Sequence, residues 1–216
     1  MKKTLIVGHK GNMARRYATI LDFLGKPWCG IDNGDSIPDM TMISGILIAT
    51  PTMSHIDIIT KFLRYNIPIL CEKPISKGVI QLANFFEVVK KTGTPVQMIN
   101  QYRHLIHGDD NGPTHYDYFK SGADGLAWDC INIIGLASGD VKLNYKSPIW
   151  SCAINGRQLN IREMDEAYCV EIDEWLHNPT ENTDYMKKAH RKVLTYVQQS
   201  NKKTDARTDR DSGSQH

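Results

Sequence analysis

Long apolar runs are missing from this 216-residue sequence, and none approaches the length needed to span a membrane. The first one, Leu5-Ile6-Val7 in MKKTLIVGHKG, is short and is broken at once by glycine and polar residues, so no secretory signal peptide is expected. Cysteine is sparse. The five residues at 29, 71, 130, 152 and 169 are scattered, odd in number and never in C-x-x-C spacing. That excludes a disulfide framework or a zinc site and reads as small buried side chains in a reducing, cytoplasmic compartment. The eight histidines form no metal pattern; His104 and His107, with Asp109-Asp110 nearby, read as a solvated loop, and no metal is expected. Charge of one sign is also lacking. A net charge of +2 gives no ground for a nucleic-acid or membrane-surface partner. No internal repeat is found.

What is present is enough apolar material for a core: 41% of residues are hydrophobic against 23% charged, which suits one or two globular domains. The most informative stretch is TLIVGHKGNMARRY. An apolar strand stops at Gly8, Gly11 follows, then Ala14, and a helix opens. A strand that turns through glycine into a helix gathers backbone N–H groups and the positive end of a helix dipole, which is a phosphate site. The spacing is G-x-x-G-x-x-A, with Lys10 at the usual second-glycine position, so Gly8, Lys10, Gly11, Asn12 and Met13 are the candidate cradle. Glycine after a strand is also ordinary turn chemistry, and the surrounding elements have to decide.

They follow in order. Residues 14–24 have helical spacing on Tyr17, Ile20, Leu21 and Leu24, closed by Gly25. Trp28-Cys29-Gly30-Ile31 is a second strand ending at Asp32, close to the position where a dinucleotide fold places an acid on the ribose 2′-OH. The alternative is a turn residue in DNGD. A carboxylate there repels a 2′-phosphate and no Arg follows closely, which favours NAD over NADP, with Arg15 and Arg16 as the counter-argument. GILIAT (45–50) reads as a strand buried on both faces. Thr50-Pro51 and His55 lead into a helix over 56–65; 68–71 is a strand closed by Glu72-Lys73-Pro74; 79–92 is an amphipathic helix; 95–99 is a fifth strand. The alternation predicts a doubly wound parallel sheet, with the glycine turn, Asp32, Thr50-Pro51 and Glu72-Lys73-Pro74 on the rim where ligands bind.

Beyond residue 100 the pattern changes. QYRHLIHGDDNGPTHYDYF is polar and irregular, 126–136 is helical, 141–145 alternates like a strand, and 149–154 and 158–163 read as strands around an Asn155-Gly156 turn. Helices are expected over 167–177 and 184–199, with Thr180 a weak N-cap. The fold class is α/β: a Rossmann doubly wound parallel sheet followed by a small α+β domain with an antiparallel sheet. From Asn201 no apolar residue is larger than alanine, and the tail is expected to be disordered.

IATPTMSHIDIITKFLRYNIPILCEKPIS resembles the Gfo/Idh/MocA oxidoreductases, in which a strand ending near T-P is followed by His, a helix and a strand closing with E-K-P. The likeness covers about residues 3–103 and includes Asn100-Gln101-Tyr102-Arg103, similar to the family's N-x-x-R segment. GHKGNMAR is closer to the glycine turn of dihydrodipicolinate reductases, which also bind nicotinamide dinucleotides. The family's D-x-G-x-H-x-x-D helix has its best counterpart at 125–132. There its first Asp falls on Gly125, its His on Asp129 and its last Asp on Asn132, with Asp124 one residue away from the first.

The resemblance implies a division into an NAD(P)-binding Rossmann domain (1–103), a shortened α+β substrate domain (104–200) and the tail (201–216). It implies NAD as cofactor, with NADP less favoured, and hydride transfer to or from a sugar, cyclitol, nucleotide-sugar or similar polar small molecule. Lys73 is the implied electrostatic catalyst and Asp129 the acid/base. Lys73, Tyr102, Arg103, Asp129 and Asn132 are the implied substrate contacts, and Thr50, Pro51, His55, Glu72 and Lys73 line the cofactor beside Asp32 and the glycine turn. His115, Tyr116 and Tyr118 are further cleft candidates. For each there is a plainer reading: Lys73 a surface lysine, Asp129 a carboxylate capping its own helix, His55 a helix-start residue. A cis bond before Pro74 is expected as a geometric device. The family implies a homodimer through the C-terminal sheet, which the shortening could abolish. Rival functions are a dinucleotide-binding sensor or scaffold without turnover, and a biliverdin-reductase-like enzyme that lacks the usual acid/base pair.

Overall fold

Leu5 and Ile6, Ile46 to Ile48, and Ile69 and Leu70 are essentially without exposed surface. Consecutive buried apolar residues of this kind belong to strands covered on both faces. They lie on β1 (Lys3–Val7), β3 (Ile43–Ile48) and β4 (Ile69–Cys71), which with β2 (Trp28–Ile31) and β5 (Val96–Met98) form a five-stranded sheet in the order β2-β1-β3-β4-β5. All four pairings are parallel. The computed structural model describes every residue except 107–112, 118–122, 139–140, 155 and 213–216, and describes no side chain at 79, 113–114, 123–124 or 200–212.

The helices follow from their stripes. α1 (Asn12–Phe23) buries Ala14, Tyr17, Ile20 and Leu21, and Gly25 beyond its end adopts φ 62°, a conformation that glycine enters without steric cost. α2 (His55–Leu63) follows a 3₁₀ turn at Thr52–Ser54 and buries His55, Ile59, Phe62 and Leu63. α3 (Val79–Thr92) buries Leu82, Phe85, Phe86 and Val89. The chain leaves β1 for β2 on one side and crosses to β3 on the other, so the strand order reverses beside β1. Ligands of doubly wound sheets bind outside the carboxyl ends of the strands at such a reversal.

The chain divides into two compact units, residues 1–105 with 162–184, and residues 106–161 with 185–216. This differs from a single cut near residue 103. α6 (Ile161–His177) belongs almost wholly to the first unit, where it lays Met164, Ala167, Tyr168, Glu171, Ile172 and Trp175 inward. It also replaces the strand expected through Glu163.

In the second unit β6 (Pro113–Asp117), β7 (Lys142–Asn144), β8 (Ser151–Ile154) and β9 (Arg157–Gln158) form a sheet in the order β7-β6-β8-β9. The β6-β8-β9 part is antiparallel, with Gly156 at φ 78° in the β8–β9 turn. β7 pairs parallel with β6, so the sheet is mixed. β6 runs through a stretch whose polar composition hid it. The helix expected over 126–136 is broken at Cys130 into α4 (Ala123–Asp129) and α5 (Ile131–Leu136). α7 (Thr183–Ser212) carries helical backbone into the stretch expected to be disordered; no glycine or proline interrupts the sequence from Thr183 until Gly213. Gly135 of α5 lets α7 approach closely: a Cβ there would lie 2.8 Å from the Ala189 methyl.

Candidate functional site

At the carboxyl end of β1 the chain turns through Gly8 (φ 85°), and the Gly11 N–H donates to the Gly8 carbonyl at 3.0 Å. A Cβ on Gly8 would sit 2.8 Å from Thr50 Cγ2 and 3.1 Å from the Ala49 carbonyl oxygen, so glycine is what lets this turn lie against the end of β3. Gly11 caps α1 without a side-chain hydrogen bond. The orphan N–H groups of a first turn with such a cap suit an anion.

Asp32 closes the turn from β2. Its carboxylate accepts the Lys10 backbone N–H at 3.2 Å and the Asn33 N–H at 3.0 Å. The Asn33 and Lys10 N–H groups hold its carboxyl below the ordinary carboxylate value. The lysine at the second-glycine position therefore serves through its backbone. His9 packs against Gly30, where a Cβ would come 2.5 Å from both Cβ and Cγ of the histidine, and its Nδ1 is 3.8 Å from Asp32. Of the two arginines that argued for NADP, Arg16 pairs with Asp165 at 3.3 Å and stacks on Tyr168, while Arg15 donates to the Asn12 side chain.

Across the rim the β3 and β4 ends are joined by His55. The ring is buried, with Nε2 2.7 Å from the Thr50 carbonyl oxygen and Nδ1 2.8 Å from that of Pro74. Glu72 is buried at the end of β4. It accepts from the Tyr17 hydroxyl of α1 and, at 3.0 Å, from the Lys73 N–H. Burial, then the Glu72 charge, pushes the Tyr17 phenol well above its ordinary value and keeps it a donor. Lys73 itself is half-buried, and the Lys73–Pro74 bond is cis. Asn12, Met13, Thr50, Pro51 and Lys73 all lie on this one rim.

The expected substrate contacts fare differently. Tyr102 is buried. Arg103 is spent on protein carboxylates: its Nε donates to Glu171 at 2.7 Å and its Nη2 to Glu174 at 2.6 Å. His104, expected in a solvated loop, donates to the same Glu171 at 2.7 Å. Glu171 has no exposed surface and also takes the Gln97 amide at 2.8 Å and the Asn100 N–H at 3.2 Å. In the second unit Asn132 is buried and accepts the Tyr185 hydroxyl at 3.0 Å. Asp129 is half-buried at the last residue of α4, not at a helix start. His115 pairs with Asp117 at 2.8 Å, and Tyr116 is buried with its ring edge-on to Trp150. His107, Asp109, Asp110 and Tyr118 lie outside the described residues, as does the side chain of Asp124. Among the described residues no three His, Cys, Asp or Glu side chains group as a metal site, and no helix is long and apolar enough to cross a membrane.

Sequence reasoning missed Tyr17, Glu171 and His9. Two of them left a signal: Gly30 inside a strand marks a close approach, and Glu171 interrupts an otherwise apolar helix stripe.

Residues 25–100 match the model of the Gfo/Idh/MocA family, described as an oxidoreductase family with an NAD-binding Rossmann fold. No curated protein matches the sequence. Solved structures share the fold at low identity. The WlbA (WbpB) dehydrogenase from Thermus thermophilus, in complex with NAD and UDP-GlcNAcA, is 16% identical, with a TM-score of 0.65 over 89% of this chain and 94% of that one. A myo-inositol dehydrogenase from Corynebacterium glutamicum is 12% identical, with a TM-score of 0.66 over 90% and 94%. A putative myo-inositol dehydrogenase from Sinorhizobium meliloti 1021 is 14% identical, with a TM-score of 0.70 over 94% and 98%.

Proposed function

We propose that the chain, whose residues 25–100 match the model of the Gfo/Idh/MocA oxidoreductase family with its NAD-binding Rossmann fold, is an NAD-dependent oxidoreductase of that family. Its substrate is a sugar, cyclitol, nucleotide sugar or similar polar small molecule, oxidised or reduced at a carbon bearing oxygen. The observation that carries this reading is the grouping of the Gly8 turn, the uncapped start of α1, Asp32 and Lys73 at the carboxyl rim of one parallel sheet.

These residues fit the cofactor. The cradle at Gly8 is one that a Cβ would fill. The α1 start offers N–H groups to a pyrophosphate, and Asp32 offers a carboxylate to a ribose hydroxyl while opposing a 2′-phosphate. Arg15 and Arg16 are engaged by Asn12 and Asp165, which supports NAD over NADP. Bound NAD supplies the hydride acceptor or donor at its nicotinamide. Lys73 contributes a positive charge beside the reacting oxygen, which stabilises negative charge forming there. Asp129 of the second unit is our acid/base assignment, and a homodimer through the second sheet is part of the same proposal.

One observation favours a second reading, a dinucleotide-binding sensor without turnover. Asn132, which stands in for an acid of the family's helix, is buried against Tyr185.

Fluorescence titration with NADH and NADPH tests the proposal on wild type and Asp32→Ala. NADH should bind more tightly, and Asp32→Ala should weaken it about tenfold, the worth of a hydrogen bond to a charged group. A polyol and nucleotide-sugar panel with Lys73→Ala as control then separates enzyme from sensor. No binding of either cofactor overturns both readings.

A further inference from the structure

The short segment that presents Lys73 is tied to the Rossmann core from two helices. From α1, the buried Tyr17 hydroxyl donates to Glu72, whose second oxygen accepts the Lys73 N–H at 3.0 Å. From the start of α2, His55 bridges the carbonyl oxygen of Pro74, at 2.8 Å, and that of Thr50 at the end of β3, at 2.7 Å. A carbonyl only accepts, so the neutral ring donates to one of these oxygens and the imidazolium to both. The residues on each side of Lys73 are thus held by side chains with almost no exposed surface: Tyr17 is 1% exposed, His55 1% and Glu72 7%. A lysine on a four-carbon stem loses much rotamer freedom when it acts, and fixing its backbone removes part of that cost in advance.

We propose that Tyr17, Glu72 and His55 are positioning residues for Lys73, forming a buried clamp that sets where its ammonium stands at the cofactor rim. This rests on the role given to Lys73 above. Glu72 then contributes by holding the turn, without touching the cofactor. Tyr17, three residues past Ala14 of the glycine turn, joins the phosphate end of the site to the catalytic end through a single side chain.

The test uses the full chain, labelled with ¹⁵N, as wild type, Tyr17→Phe and Glu72→Gln. Tyr17→Phe keeps the ring that fills the core. Glu72→Gln keeps the shape but cannot accept both donors. Two quantities are read: amide exchange at Lys73 relative to the core amide of Leu47, and the shielding of the Lys73 amine from acetic anhydride by saturating NADH. The clamp predicts that both variants speed Lys73 exchange about tenfold relative to Leu47, the loss expected for one hydrogen bond. It also predicts NADH affinity within about threefold of wild type and a clear loss of shielding. Exchange that rises only in step with Leu47 marks a general loss of stability and overturns the clamp. Unchanged shielding overturns it too. Failure of NADH to shield Lys73 in wild type sinks the premise about Lys73, an outcome separate from the comparison of variants.

Discussion

A carboxylate without exposed surface is costly unless donors replace the water it has lost. Glu171 meets that condition with Gln97, the Asn100 N–H, Arg103 and His104. Burial pushes its carboxyl up, and the His104 and Arg103 hydrogen bonds outweigh this and hold it below the ordinary value. A depressed native value means that this stabilisation is fully present above the unfolded value of about 4.3 and is lost as pH falls through the lower native one. Urea midpoints measured against pH should therefore fall more steeply in that acid window for wild type than for Glu171→Gln. Glu171→Ala, which strands Arg103 and His104, should cost about 3 kcal/mol at neutral pH, the lower end for a broken buried pair because Arg103 is partly exposed. Thermal unfolding should drop by roughly 6–12 °C. A shift under 2 °C would sink the assignment of Glu171 as the tie between α6 and the end of β5. In the sequence this position stands out only as a charge within an apolar helix stripe, and nothing local names its partners. Arg103 invited a substrate role because its partner lies 68 residues away, a distance that spacing does not reveal.

The Rossmann elements were legible because each is a local pattern: strands buried on both faces, helices with one stripe, glycine at the turns. α3 spans Val79–Thr92 and β2 spans Trp28–Ile31 as expected, and the other boundaries moved by one or a few residues. The elements that escaped depend on distant partners. β6 is polar in sequence and becomes a strand because β7 and β8 pair with it. α6 starts at Ile161, where alternation had read as strand. Its place is set by Trp175, whose ring lies over Gly45 of β3 so closely that a Cβ there would be 2.6 Å from Cη2. Gly45→Ala should overpack this contact and destabilise by about 1–3 kcal/mol. Trp175→Phe should recover part of the loss in the double variant, a coupling that urea denaturation of the full cycle measures; strict additivity would refute the contact. The outer edge of β5 shows a second long-range tie. Asn182 accepts the Met98 N–H at 2.9 Å and donates to the Met98 carbonyl at 2.8 Å, so a side-chain amide stands where a sixth strand would pair.

These ties decide how the chain divides. α6 and Asn182 come late in sequence, yet residues 162–184 complete the first unit. Residues 1–105 alone would keep every strand of the parallel sheet and lose three things: the α6 stripe that covers it, the donor-accepting carboxylate of Glu171, and the Asn182 amide on the β5 edge. The remainder would expose apolar surface and an unpaired strand edge, a combination that favours aggregation over folding. A fragment of residues 1–105 should therefore give a poorly dispersed amide spectrum and bind NADH weakly. Adding the 162–184 peptide in trans should restore dispersion and tighten NADH, because the peptide brings Glu171, Trp175 and Asn182 without adding any residue of the glycine turn or of the Lys73 clamp. A well-dispersed 1–105 fragment that melts at the temperature of the full chain would show instead that the sheet stands without α6, and that the segment after residue 161 is an addition to a finished Rossmann unit.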